Sequence, residues 1–239
     1  MSRRAVGLWA VVAVLAVLVV GITAARERPP GISAVVAASP DAGRTALLAE
    51  VRRELVEMRD TGYQHRTAVA AREGGYYFDC SGFVDYALAH SRPANLDALP
   101  VTRSTRPLAA DFVRHFRAVA AGTAGGPWEP VGTVPELRPG DVIAWLRPAE
   151  VKSRNTGHVL VVLETPVANP NRPGEWLVKA ADSTTSPHAE DSREKSDDGL
   201  GTGTIGLSAD TAGRPVGYYW RGGVSTVLRH TEIALGRPG

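Results

Sequence analysis

The sequence predicts an α+β domain, with helices first and an antiparallel sheet after them. Three observations lead there. Before residue 122, apolar residues recur at helical spacing in three stretches. After Gly125 the pattern shortens to strand-like runs set between turn residues. The chain of 239 residues also holds 25 Gly and 17 Pro, enough for many turns between short strands.

Each element follows in order. Residues 5–25 carry no charge and are mostly Val, Ala and Leu, behind Arg3 and Arg4. By the positive-inside rule, this run predicts that the rest of the chain is extracytoplasmic. Its length exceeds a usual signal core and suits one membrane span, so an uncleaved anchor is favoured. Thr23-Ala24-Ala25 keeps a cleaved signal peptide open, and Arg3-Arg4 also resembles a twin-arginine signal. Pro29, Pro30, Ser39 and Pro40 make residues 26–41 a linker, leaving 42–239 as a single domain.

Within it, Asp41 caps a first helix expected to reach about Arg59, with Leu47, Val51, Leu55 and Met58 on one face and Gly62 as its stop. A second helix starts near Cys80, buries Phe83, Val84, Ala87 and Leu88, and ends at Pro93. A third follows Pro107, with the stripe Leu108, Phe112, Phe116 and Val119, and closes at Gly122. About six strands follow, at 142–146, 159–163, 176–181, 205–208, 218–221 and 233–235. The polar segment from Ser183 to Gly203 is expected to be a surface loop.

Charge excludes one class of partner. Lys and Arg number 27 against 25 Asp and Glu, and the surplus is Arg3 and Arg4. A neutral domain has no electrostatic footprint for nucleic acid. One Cys excludes an internal disulfide framework and a Cys-rich zinc module. Gly201-Thr202-Gly203-Thr204-Ile205-Gly206 fits the letters of a dinucleotide loop but lacks the strand before and the helix after it. Asp191, Glu194, Asp197 and Asp198 follow no calcium-loop spacing.

The single Cys carries the chemistry. In Phe78-Asp79-Cys80-Ser81-Gly82-Phe83 it falls on the first turn of the second helix. Free N–H groups and the helix dipole there favour an anion, so the thiol pKa is expected to fall. The small neighbours Ser81 and Gly82 leave the sulfur accessible. An inert, buried Cys is the alternative from position alone.

Asp79-Cys80-Ser81-Gly82-Phe83-Val84 resembles the nucleophile motif of the NlpC/P60 family of papain-like cysteine peptidases. Leu137-Arg138-Pro139-Gly140-Asp141-Val142 is similar to that family's turn into its first core strand. Gly157-His158-Val159-Leu160-Val161-Val162 is similar to the strand bearing its catalytic His. The three occur in family order across residues 60–185. The resemblance implies a papain-like fold, with Cys80 as nucleophile and His158 as the base. It implies a third polar residue on the next strand, where Asp182 lies opposite His158 in a regular hairpin and would orient the imidazole. The spacing is long for the family, and His188 is a rival for that position. A family Tyr ahead of the Cys maps to Tyr63, either as an oxyanion donor or as plain packing. His65 is a further candidate to line the cleft, while His90, His115 and His230 are expected to be structural.

The activity implied is hydrolysis of peptidoglycan stem peptides at the bond between D-Glu and a diamino acid, with no metal or cofactor. The cell-wall peptide is the partner, and the membrane is met only through the N-terminal segment. Two other functions stay open: an amidase or acyltransferase on the same fold, and a non-catalytic cell-wall-binding module.

Overall fold

The computed structural model describes residues 41–239. The expected export segment at 1–25, and the linker apart from Asp41, lie outside the described residues. No described helix is long and apolar enough to cross a membrane.

Helix α1, Ala42–Glu57, buries Leu47 and Val51, as its spacing predicts. Asp41 starts it without a side-chain cap, because its carboxylate is bound by Arg44 at 2.8 Å instead. The helix stops at Met58, where the backbone turns extended, four residues before Gly62. Three short strands follow: β1 (Asp60–Gly62), β2 (Ala68–Ala70) and β3 (Gly75–Tyr77), paired in the order β1-β3-β2. Three residues are too few to display alternation, so the sequence hides this sheet.

Helix α2 spans Cys80–Ser91 and begins at the nucleophile candidate. Asp79 caps it, accepting the Gly82 N–H at 2.8 Å. Pro93 does more than end α2: it opens a short helix α3, Pro93–Asp97, from the first-turn position. Helix α4, Ala109–Ala120, buries Phe112, Phe116 and Val119.

The remainder is one antiparallel sheet of nine strands: β4 (Trp128–Pro130), β5 (Val142–Leu146), β6 (Gly157–Val162), β7 (Val167–Ala168), β8 (Glu175–Thr184), β9 (Gly199–Ala209), β10 (Pro215–Tyr219), β11 (Arg229–His230) and β12 (Ile233–Pro238). They run in the order β11-β10-β9-β8-β6-β5-β12-β4, with β7 beside β8. The three strands beyond the expected six, β4, β7 and β11, have two or three residues each. The protein is therefore α+β, with a large antiparallel sheet and few helices.

Alternation along β5 and β6 explains the continuous apolar runs in the sequence. Val142, Ala144, Val159 and Val161 pack against Phe83, Phe112 and Phe116 of the helices. Ile143, Trp145, Leu160 and Val162 face away and pack with Ile205 and Leu207 of β9. Both faces are buried, so no polar residue alternates.

The expected surface loop at Ser183–Gly203 is corrected in two ways. Its ends are strand, because β8 continues through Thr184 and β9 starts at Gly199. Part of its middle folds inward, burying His188, Ala189 and Arg193, while residues 194–198 are exposed as expected. The glycines of β9 make that possible. A Cβ at Gly201 would sit 2.7 Å from Arg193, and one at Gly203 would sit 2.6 Å from the His188 Cβ. The Gly-rich run of 201–206 is thus a strand cleared for side chains lying across it, and its glycines hold no phosphate loop.

Candidate active site

Cys80 sits where the sequence places it, at the first turn of α2. Asp79 organises the surroundings. Its Oδ1 accepts from the Gly82 N–H, from Ser81 Oγ at 3.2 Å and from Arg106 at 2.7 Å. Arg106 also reaches Ser81 Oγ at 2.8 Å and Asp85 Oδ2 at 3.1 Å, bracing the first two turns of the helix. The other Asp79 oxygen lies 3.1 Å from His65 Nδ1, on an exposed ring.

The expected fall in thiol pKa is not found. Burial pushes the Cys80 thiol up to about 12, and the negative charges of Asp79 and Asp182 add to that. The backbone N–H groups of Val159 and Ser81 face the sulfur and favour the thiolate, but they do not outweigh desolvation. The residue is 4% exposed, so Ser81 and Gly82 do not open it to solvent as expected.

His158 enters from β6. It stands opposite Trp145 of β5, and the two chains approach closely there: a Cβ at Gly157 would lie 1.8 Å from the Trp145 carbonyl oxygen. The ring lies 5.0 Å from that of Trp145 and 5.2 Å from that of Trp220, centroid to centroid. Its Nε2 donates to Asp182 Oδ2 at 2.6 Å. That bond leaves Nδ1 as the ring nitrogen able to accept a proton. Cys80 and His158 are not hydrogen-bonded to each other; the backbone N–H that favours the thiolate belongs to Val159, the residue after His158 on β6.

Asp182 lies two residues before the end of β8 and is 1% exposed. The sheet does not set it opposite His158 as expected: Val161 pairs with Ala181, so the register puts Asp182 against Leu160, and its carboxylate reaches His158 diagonally along the same face. Next to it, Ser183 Oγ donates to the Phe78 carbonyl at 2.6 Å, which fastens β8 to the segment leading into Cys80. The carboxylate has three donors. Oδ2 takes His158 and also His188 Nε2 at 2.8 Å, and Oδ1 takes Arg193 at 2.8 Å. Burial alone would raise its pKa, but the charge of His188 and the hydrogen bonds from both histidines hold it well below the usual carboxylate range. His188 is therefore not a rival to Asp182 at the third position. It binds the same carboxylate beside His158.

The cleft has two adjoining lobes. A cavity of 280 Å³ is lined by Cys80, Asp79, Arg106 and His65, and one of 350 Å³ by His158, Trp145, Tyr218 and Trp220. Tyr63, Asn155 and Gly157 line both. The Tyr63 hydroxyl accepts from Asn155 Nδ2 at 2.9 Å, and burial raises its pKa, with Cys80 close enough to contribute. Tyr63 thus lines the cleft, not only the packed interior. The other histidines lie elsewhere. His90 bonds the Tyr86 carbonyl, His115 is buried beside Phe116 and Trp128, and His230 is exposed on β11.

Sequence reasoning missed Arg106, Asn155, Arg193 and Trp220. Asn155 stands two residues before Gly157-His158, which was an available signal. Arg106 and Arg193 come from segments whose letters carry no pattern, and Trp220 lies in the expected strand 218–221, whose period does not mark it as a cleft residue.

Ring nitrogens of His158 and His188 and an oxygen of Asp182 lie within 4.8 Å of one another, a spacing a metal ion could use. In the described structure these atoms are joined by hydrogen bonds at 2.6 and 2.8 Å, and Arg193 places a cation on the same carboxylate. A cation there would displace the two shared protons and meet that charge. The donor set fits a proton-holding cluster better than a metal centre.

No family model matches the chain, and no solved structure matches it. It is similar to an uncharacterized protein of Acanthamoeba polyphaga mimivirus, 32% identical over 159 residues, which cover 59% of this chain and 67% of the viral protein. At that identity and coverage, the chain belongs to the same family as the viral protein.

Proposed function

We propose that the protein is an extracytoplasmic thiol hydrolase of papain-like, NlpC/P60 type that cleaves amide bonds in peptidoglycan stem peptides, of the D-Glu–diamino acid kind. The observation that carries this is the cleft: Cys80, at the first turn of α2, lines one lobe, and His158, whose Nε2 is held by Asp182, lines the adjoining one. An uncharged membrane-length run behind two arginines supports the location.

The steps follow from the groups present. The buried thiol is neutral at rest. As the scissile carbonyl enters between the two lobes, the Cys80 proton passes to His158 Nδ1 and the sulfur bonds to the carbonyl carbon. Catalytic hydrogen bonds are often long before substrate binds and tighten in the complex, so the absence of a Cys80–His158 bond is compatible with this step. The carbonyl oxygen becomes an oxyanion, met by the Cys80 N–H at the helix start and by the Tyr63 hydroxyl. The C–N bond breaks, and the amine leaves with the proton from His158. Water, deprotonated by His158, hydrolyses the thioester and frees the acid and the thiol. Asp182 stays ionised throughout and orients the imidazole.

One observation favours a second function, a cell-wall-binding module: the burial and raised pKa of Cys80. A digest separates the two. The full chain in detergent is incubated with purified peptidoglycan beside Cys80→Ala, and soluble fragments are weighed by mass spectrometry. Hydrolysis predicts new peptides from the wild type alone, with masses that name the bond. Retention on the wall without release, equal in both proteins, would overturn hydrolysis in favour of binding.

A further inference from the structure

Both ring nitrogens of His188 face acceptors. Nδ1 lies 2.8 Å from the Trp220 carbonyl oxygen and Nε2 lies 2.8 Å from Asp182 Oδ2. A carbonyl oxygen can only accept, so Nδ1 carries a proton. An ionised carboxylate can only accept, so Nε2 carries one as well. A neutral ring would set a lone pair against one of these oxygens inside the protein, where an unmade hydrogen bond is costly.

We infer that His188 is a positioning residue of the candidate active site, an imidazolium that acts with Arg193 to fix the Asp182 carboxylate and, through it, the tautomer of His158. The inference rests on the role of His158 as the base. The groups around His188 favour it on balance, against burial and the like charge of Arg193. Asp182 is the acceptor, and Arg193 takes that residue's other oxygen. Arg193 is itself held by Asp191 at 2.8 Å, and Asp191 Oδ2 also takes the His188 backbone N–H. The Trp220 ring lies 4.3 Å from the His188 ring, close enough for its face to favour a cation. His158 lies on the same carboxylate oxygen, with ring centroids 6.3 Å apart. Burial disfavours the charge on His188, but Asp182 and the Trp220 carbonyl more than offset it, and its pKa is raised.

The arrangement has a chemical consequence. Oδ2 is shared by two donors and Oδ1 is occupied, so the carboxylate cannot rotate. His158 keeps its Nε2 proton pointed at Asp182 and its Nδ1 lone pair free. Gly201 and Gly203 build this into the sheet, because they clear the space that Arg193 and His188 occupy.

The test is nitrogen-15 NMR of the histidine rings in the full chain in detergent, across about pH 5.5 to 8, in the wild type and in His188→Gln. We expect His188 to be protonated on both nitrogens at pH 7 and His158 to be the Nε2–H tautomer. In His188→Gln, His158 should populate both tautomers, and alkylation of Cys80 should slow roughly tenfold, the loss expected of one hydrogen bond to a charged group. Its pH profile should also move upward, because a cation near His158 is gone. A neutral His188 at pH 7 in the wild type would overturn the inference, even if His188→Gln fails to fold. So would an unchanged His158 tautomer and alkylation profile in a folded His188→Gln. The ring signals report on His188 whether or not peptidoglycan is cut, so failure of the hydrolase proposal would register separately.

Discussion

Asp182→Asn is the most informative perturbation of the site's stability. The amide keeps the shape of the side chain and removes a charge that is 1% exposed and accepts from three donors, of which Arg193 and His188 are cations. Removing one partner of a buried ion pair costs about 3–5 kcal/mol, because the other charge stays buried and uncompensated. For a domain of this size each kcal/mol moves the Tm by about 2–4 °C, so a drop of roughly 6–20 °C is expected. The pH dependence carries a sign. Asp182 is depressed from its ordinary 3.8, so its contribution is present above that value and is lost only as pH falls through the lower folded value. His188 is raised from its ordinary 6.5, so its contribution is complete below 6.5 and is lost as pH rises through the folded value. The pair is therefore complete near pH 5.5 and weakens toward pH 9. In Asp182→Asn, His188 must be buried neutral, which is worst where the unfolded chain protonates it. Melting followed by differential scanning calorimetry should show the larger loss at pH 5.5. A drop below about 3 °C, or a greater loss at pH 9 than at pH 5.5, would refute the charge assignment.

Other outcomes follow from the same structure. Gly157→Ala drives a Cβ into the Trp145 carbonyl, so β5 and β6 must part at His158; we expect a loss of about 3 kcal/mol by denaturant titration, and an unaffected stability would contradict the close approach. Glu54 is fully buried with neither oxygen partnered, and burial pushes it up to about 9. Its contribution falls as pH rises from its ordinary 4.5 toward 9, so Glu54→Gln should flatten the decline of Tm across that range, and an unchanged slope would count against it. Tyr63→Phe removes a hydroxyl offered to the oxyanion; peptide release should fall roughly 100-fold with a stability loss of only about 1 kcal/mol, whereas unchanged release would leave Tyr63 as cleft lining alone.

The fold was legible where its period was long or its punctuation strong. The stripe Leu108-Phe112-Phe116-Val119 marks α4, and the run Val142–Leu146 coincides with β5. Strands β1 to β3 were invisible because three residues cannot show alternation. The segment 183–203 misled for a different reason. Its polar composition argues for solvent, and residues 194–198 are indeed exposed, yet Arg193 is buried between Asp182 and Asp191, and the segment's own Gly201 and Gly203 make the space for Arg193 and His188. Pairing across the sheet is a tertiary fact that no local window holds. The site shows the same division. Cys80 and His158 could be placed from motif; Asp182 was reached through a regular hairpin register that the sheet does not keep, although the two side chains still meet diagonally on one face. The thiol pKa could not, because the helix dipole is local, whereas the burial that outweighs it comes from elements distant in the chain.

The central claim is that Cys80 forms a covalent bond to its substrate, and intact-protein mass spectrometry tests it most directly. The full chain in detergent is mixed with purified stem peptides and quenched in acid within the first turnover. The account predicts an added mass equal to the acyl part of the peptide, carried by Cys80, absent in Cys80→Ala and diminished in His158→Ala. Peptide cleavage that persists in Cys80→Ala with no adduct on the wild type would contradict it.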